Sequence, residues 1–276
     1  MRGSIRFDVD LADFGRQIQL LANATRRTLR DTVLDQSRLL VRDLIKTTPP
    51  HGTRPIQEDW TFQRHKGEKA IALDIRRLFQ PLNTIRAVMY PTGMSHHGRN
   101  ARRLYLQYLA DRGDWHGISE SLFAMHVTGD RVNIVGAITR ASYREEWSRY
   151  QKRGRIPKGV VNSMVWDAGS VTLVTREVCL MVGFAKGGWL KAANALHVQR
   201  LPAWVTRHEG APGSFEDLTE DTDKPSFTMT NDVAYIAYLN AGGRLVNRAM
   251  RNRQRAMEIS TEKAIEYFCR DFAKAA

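Results

Sequence analysis

The chain has 276 residues, 42% of them hydrophobic and 26% charged, which is enough apolar material for a packed core and too much for a disordered polymer. No apolar run approaches the ~20 residues that cross a bilayer, and the opening MRGSIRFDVDLADF lacks an apolar signal core, so neither a membrane nor secretion through a signal peptide is expected. The 42 Lys and Arg against 29 Asp and Glu leave a net charge of +13, which favours an acidic partner: nucleic acid, an anionic surface, or an acidic face of another protein.

From Asp13 to Lys46, apolar or small residues recur at Phe14, Ile18, Leu21, Thr25, Leu29, Val33, Leu40 and Leu44. Spacing of three and four predicts one long amphipathic helix, stopped by Pro49 and Pro50. A helix of ~30 residues is ~45 Å long, which hints at packing between subunits. His51 to Pro55 reads as a loop. Ile71–Leu78 reads as a short strand or helical turn, Arg99–Ala110 as a short basic amphipathic helix, and Leu122–Val127 with Val132–Ile138 as a hairpin.

RYQKRGRIPKG, Arg149–Gly159, holds five basic residues and no acid and reads as an exposed basic loop. The β-branched stretch Val171–Val182 predicts a tight hairpin or bent strand. It runs into GFAKGG, Gly183–Gly188, and a helix from Trp189 to about Gln199. Glu209–Asp223 holds six acids and no Lys or Arg and reads as a long polar loop. Ser226–Thr230 predicts a strand, and Asp232–Leu239 the start of a helix. RLVNRAMRNRQR, Arg244–Arg255, holds five arginines and no acid. A final helix, capped by Ser260 or Thr261, carries Ile265, Phe268, Cys269 and Phe272 on one face.

GFAKGG has the glycine spacing of a phosphate loop, but the next two positions must then be Lys and Ser or Thr. They are Trp189 and Leu190, and Lys186 lies inside the loop. The glycines are therefore read as a sharp corner, with Trp189 as a packing anchor. The scattered histidines show no metal-ligand spacing, and neither Asp111/Asp114 nor Glu145/Glu146 carries a catalytic motif. Cys179 and Cys269, with no CxxC or Cys/His spacing, are expected to be buried thiols in a reducing compartment. No catalytic residue, metal or cofactor is expected. The candidate contact residues are Arg149, Lys152, Arg153, Arg155, Lys158, Arg244, Arg248, Arg251, Arg253 and Arg255, directed at DNA or at a protein partner. The acidic 209–223 segment of one subunit meeting the arginines of another is a further reading.

The helix that ends in Lys46-Thr47-Thr48-Pro49-Pro50-His51-Gly52, the segment Asn231-Asp232-Val233-Ala234-Tyr235-Ile236-Ala237-Tyr238-Leu239-Asn240-Ala241-Gly242, and the run Gly188-Trp189-Leu190-Lys191-Ala192-Ala193 together resemble the tail-completion and head–tail joining (neck) proteins of tailed bacteriophages. The resemblance covers 1–52 and 165–276 and leaves 53–164 as a large insertion of uncertain structure. It implies an α+β fold, an antiparallel sheet packed with a long N-terminal helix and a C-terminal helix. It also implies a homo-oligomeric ring, no enzymatic activity, assembly in the host cytoplasm into the virion, and other neck, portal or tail proteins as partners, with unspecific DNA contact in the lumen. A basic nucleic-acid-binding protein is the alternative.

Overall fold

The N-terminal stretch is two helices, not one. In the computed structural model, α1 (Ala12–Thr25) and α2 (Leu29–Thr47) are separated at Arg27 and Thr28. Thr28 is extended, and its side chain accepts from the Asp31 backbone N–H at 3.1 Å while its hydroxyl donates to the Asp31 carboxylate at 2.6 Å. This reciprocal cap restarts a helix where hydrophobic spacing alone would run straight through. The structure describes residues 5–8, 12–25, 27–50, 60–82, 95–124, 128, 131–151, 163–218 and 226–275.

The remaining elements are α3 (Trp60–Leu78), β2 (Phe79–Pro81), α4 (His96–Asp111), α5 (Trp115–Ala124), β3 (Ile134–Val135), α6 (Arg140–Gln151), β4 (Ser163–Val165), α7 (Ala168–Cys179), α8 (Phe184–Gly187), α9 (Leu190–Ala195), α10 (Ala203–Thr206), β5 (Gly213–Leu218), β6 (Ser226–Asn231), α11 (Ile236–Leu239) and α12 (Arg244–Ala275), with β1 (Ile5–Asp8) at the start. The chain is mostly helical with two small sheets, a mixed α and β architecture. It divides into two compact units, 1–66 with 182–276, and 67–181. The boundary expected at 164/165 thus falls at 181/182, because β4 and α7 belong with the second unit.

In the first unit, α1, α2 and α12 pack on one another. Leu40, Val41, Leu44 and Ile45 of α2 are sealed from solvent, as are Ala249 and Met257 of α12. The sheet is antiparallel in the order β1-β6-β5. Phe227, Met229 and Asn231 of β6 point inward at period two. The acidic stretch expected as a loop contains β5, whose exposed Glu216 and Asp217 suit a sheet edge; 219–225 lie outside the described residues. Helix α12 starts sixteen residues before the expected cap. Asn240 Oδ1 accepts the Leu245 and Val246 N–H groups at 3.0 and 3.2 Å, while Ser260 and Thr261 sit mid-helix with their hydroxyls on the Ala256 and Met257 carbonyls. Ile265 and Cys269 are exposed rather than buried.

In the second unit the sheet is parallel, in the order β2-β4-β3. Its two faces lie in different cores. Val165 joins Ile75, Leu78, Phe79, Ile138, Tyr143, Val171 and Val174, while Met164 and Ile134 join Leu82, Leu106, Leu109, Ile118 and Leu122. Helices thus cover both faces, as parallel sheets require. The expected hairpin over 122–138 is not formed: residues 122–124 belong to α5, and Ile134–Val135 pairs with β4. Ile71–Leu78 is helical, and so is Val171–Cys179, where a strand was expected. Residues Ala168–Gly187 are long and apolar enough to cross a membrane by length and composition. They form two helices separated by a turn at Leu180–Gly183, not one rod.

Candidate functional site

The glycine segment follows a helix, not a strand, and Gly183 makes the sharp corner that leads into α8. Gly183 has φ +97°, and a Cβ there would lie 2.8 Å from Trp204. At Gly188 a Cβ would lie 2.1 Å from Asn231 Oδ1, so β6 can approach only a bare backbone. Asn231 fastens this contact, donating to the Ala185 carbonyl at 2.9 Å and accepting from the Val233 N–H at 3.2 Å.

The corner turns Lys186 inward. The lysine is fully buried, and its ammonium donates to the carbonyls of Ile45 and Thr48 at the C-terminal end of α2. Those carbonyls lack intrahelical partners, and the helix end carries partial negative charge. The rings of Trp60 and Trp204 lie 5.8 Å from the Nζ, edge to face with each other. Trp189, also fully buried, donates from Nε1 to Thr48 Oγ1 at 3.0 Å. Burial pushes the Lys186 pKa well below the lysine range. A depressed amine suits nucleophilic chemistry, but this one is sealed and committed to two backbone acceptors. Its role here is to cap α2. Nearby, His208 Nε2 donates to the Val182 carbonyl at 2.9 Å. Burial lowers its pKa, the carbonyl acts the other way, and Arg207 adds to the lowering.

The candidate contact residues separate into three groups. Arg149 lies on α6 rather than on a loop, and its guanidinium is bound by Glu145 at 2.6 Å and Glu146 at 2.8 Å. Lys152, Arg153, Arg155 and Lys158 lie outside the described residues. Arg244, Arg248, Arg251 and Arg255 fall at i, i+4, i+7 and i+11 on α12, one face by helical geometry, and have no ion-pair partner among the described residues. Arg253 is on the opposite side, turned inward with its Nη1 3.9 Å from Asp43. Burial lowers its pKa and Asp43 opposes the shift.

Compared with known proteins, the chain matches no family model, no curated protein and no solved structure. Among the described residues, no three His, Cys, Asp or Glu side chains come together as a metal site requires. Two concavities had no counterpart in the motif reading. A groove of about 280 Å³ is lined by Arg38, Arg42, His197 and Arg200, the last two with φ of 55° and 62°. Arg38 is already engaged there by Asp35 and the Leu196 carbonyl. In the second unit a cavity of about 680 Å³ has Arg76 and Arg176 in its lining. A strand reading of 171–182 hid it, since its wall exists only when α7 is a helix.

Proposed function

We propose that the protein is a structural, non-enzymatic component of a tailed-bacteriophage virion, assembled in the host cytoplasm into a ring at the neck or at the top of the tail. The observation that carries the assembly is the outward face of α12. Along one line it presents Arg244, Arg248, Arg251 and Arg255, then Glu262 and Glu266, all exposed except the half-buried Arg248; Glu258, on the same line, accepts from Gln17 of α1 at 2.9 Å. Exposed Ile259 and Ile265 border the acidic half. A second copy displaced along the helix sets arginines on glutamates, and such a heterologous contact closes into a ring when each step also carries a closing rotation. The resemblance in 46–52 and 231–242 supports the phage assignment. On this reading the antiparallel sheet with its terminal helices is the assembling core, 67–181 is the added unit, and portal, neck or tail proteins adjoin it.

Light scattering and negative-stain imaging test the reading. A ring or other high-order species is expected, alone or with neck partners. It weakens with salt and in Arg248→Glu/Arg251→Glu, and is restored by mixing with Glu262→Arg/Glu266→Arg. A strict monomer or a closed dimer that ignores capsid and tail proteins would sink it.

The alternative, a nucleic-acid-binding protein, is favoured by one feature: from Arg244 to Met257 no acid interrupts the arginine row. It predicts tight duplex binding whose salt slope falls by about one for each arginine removed from a phosphate.

A further inference from the structure

The cavity of about 680 Å³ in the second unit has the size of a small-molecule site. Helix α7 runs antiparallel to α3: Cys179 Sγ donates to the Glu68 carbonyl at 3.8 Å, while at the other end Ala168 and Pro81 line the same space. That end is the carboxyl edge of the parallel strands, since Pro81 pairs with Val165 and α7 begins three residues later. Ligands of parallel sheets collect at this edge.

The lining has a polar and an apolar part. Arg76 and Arg176 contribute two exposed guanidiniums, and Gln80 an amide. None of the three side chains has a hydrogen-bond or ion-pair partner among the described residues. Arg77, next to Arg76, is by contrast tied to Asp74 at 3.5 Å. Pro81 and Val171 supply apolar wall, and the Thr172 hydroxyl is turned to the Ala168 carbonyl. No acidic residue lines the space among the described residues. Two unpaired arginine forks match the paired oxygens of a carboxylate or phosphate.

We propose that this cavity binds a small organic anion, an oxyanion head on a short apolar body, with Arg76 and Arg176 holding the head. The inference stands apart from the assembly reading, because none of these residues lies on α12.

The test is calorimetric titration of the full chain with hexyl phosphate, hexanoate and inorganic phosphate. Saturable binding of at least one alkyl anion, tighter than inorganic phosphate, is expected; the stronger alkyl anion identifies the head. Arg76→Ala and Arg176→Ala each weaken it roughly tenfold or more, as loss of a charged hydrogen bond does. Arg144→Ala, an exposed arginine on α6 outside the lining, leaves it unchanged. Absence of saturable binding by both alkyl anions would overturn the proposal. So would inorganic phosphate binding as tightly as the better alkyl anion, or an equal loss in Arg144→Ala.

Discussion

The ammonium of Lys186 donates to the carbonyl of Ile45, a residue 141 positions away in sequence, and so closes the end of α2 from across the first unit. With the Thr48 carbonyl as second acceptor, the lysine satisfies backbone groups that are otherwise buried without donors. Lys186→Met keeps the stem and removes the donor. Each buried carbonyl left without a partner costs about 1–3 kcal/mol, so urea denaturation is expected to show a loss of about 2–5 kcal/mol. A variant as stable as the parent would remove Lys186 from its capping role.

The same lysine gives stability a pH slope of known sign. Burial lowers its folded pKa far below the ordinary 10.5. Between that lowered value and 10.5 the unfolded chain binds more protons at this site than the folded one, so stability rises with pH across the window. Below the folded pKa both states are protonated and the cost is constant. Denaturation midpoints measured as the pH is raised toward 10.5 should climb in the parent once it passes the lowered folded value, and this component should vanish in Lys186→Met. Equal slopes in the two proteins would contradict it.

The sequence showed elements whose period and burial agree, and hid those where they diverge. Helix α4 and strand β6 have clean periods and lie where expected. Val171, Val174, Thr175 and Val178 are β-branched or strand-favouring, yet they also sit at i, i+3, i+4 and i+7. The Asp167 carboxylate caps that run, accepting from Gly169 and Ser170 N–H groups, and the helical period prevails over a weak strand preference. Strand β5 was hidden because its acids face outward at an edge. Lys186 in a glycine segment looks like loop chemistry until its distant acceptors are placed beside it. The arginines of 244–255 divide by helical phase, which assigns Arg253 to the packed side and the other four to the outer face.

Arg102 supplies a test of opposite sign. It lies on α4, only 8% exposed, and its Nε and Nη2 are buried without a hydrogen-bond partner among the described residues. Burial pushes its pKa down. An uncompensated buried cation opposes folding, and apolar replacement of buried ions is often stabilising by 1–4 kcal/mol. Arg102→Met is therefore expected to gain about 1–3 kcal/mol in urea denaturation. A loss would mean that the guanidinium is held by a favourable contact.

At His197 two small effects compete. It follows α9 with φ 55°, and the Val198 N–H returns to the Ala193 carbonyl at 2.8 Å. This is the six-to-one bond of a helix end whose left-handed residue is usually glycine. A side chain there costs about 1–2 kcal/mol, while glycine costs about 0.4–1 kcal/mol through the freedom it adds to the unfolded chain. The difference favours His197→Gly by up to about 1 kcal/mol. His197→Ala removes the imidazole but keeps the Cβ, so it should gain nothing. Thermal or urea unfolding of the pair checks the argument. If alanine stabilises as much as glycine, the imidazole rather than the backbone is the unfavourable element at this helix end.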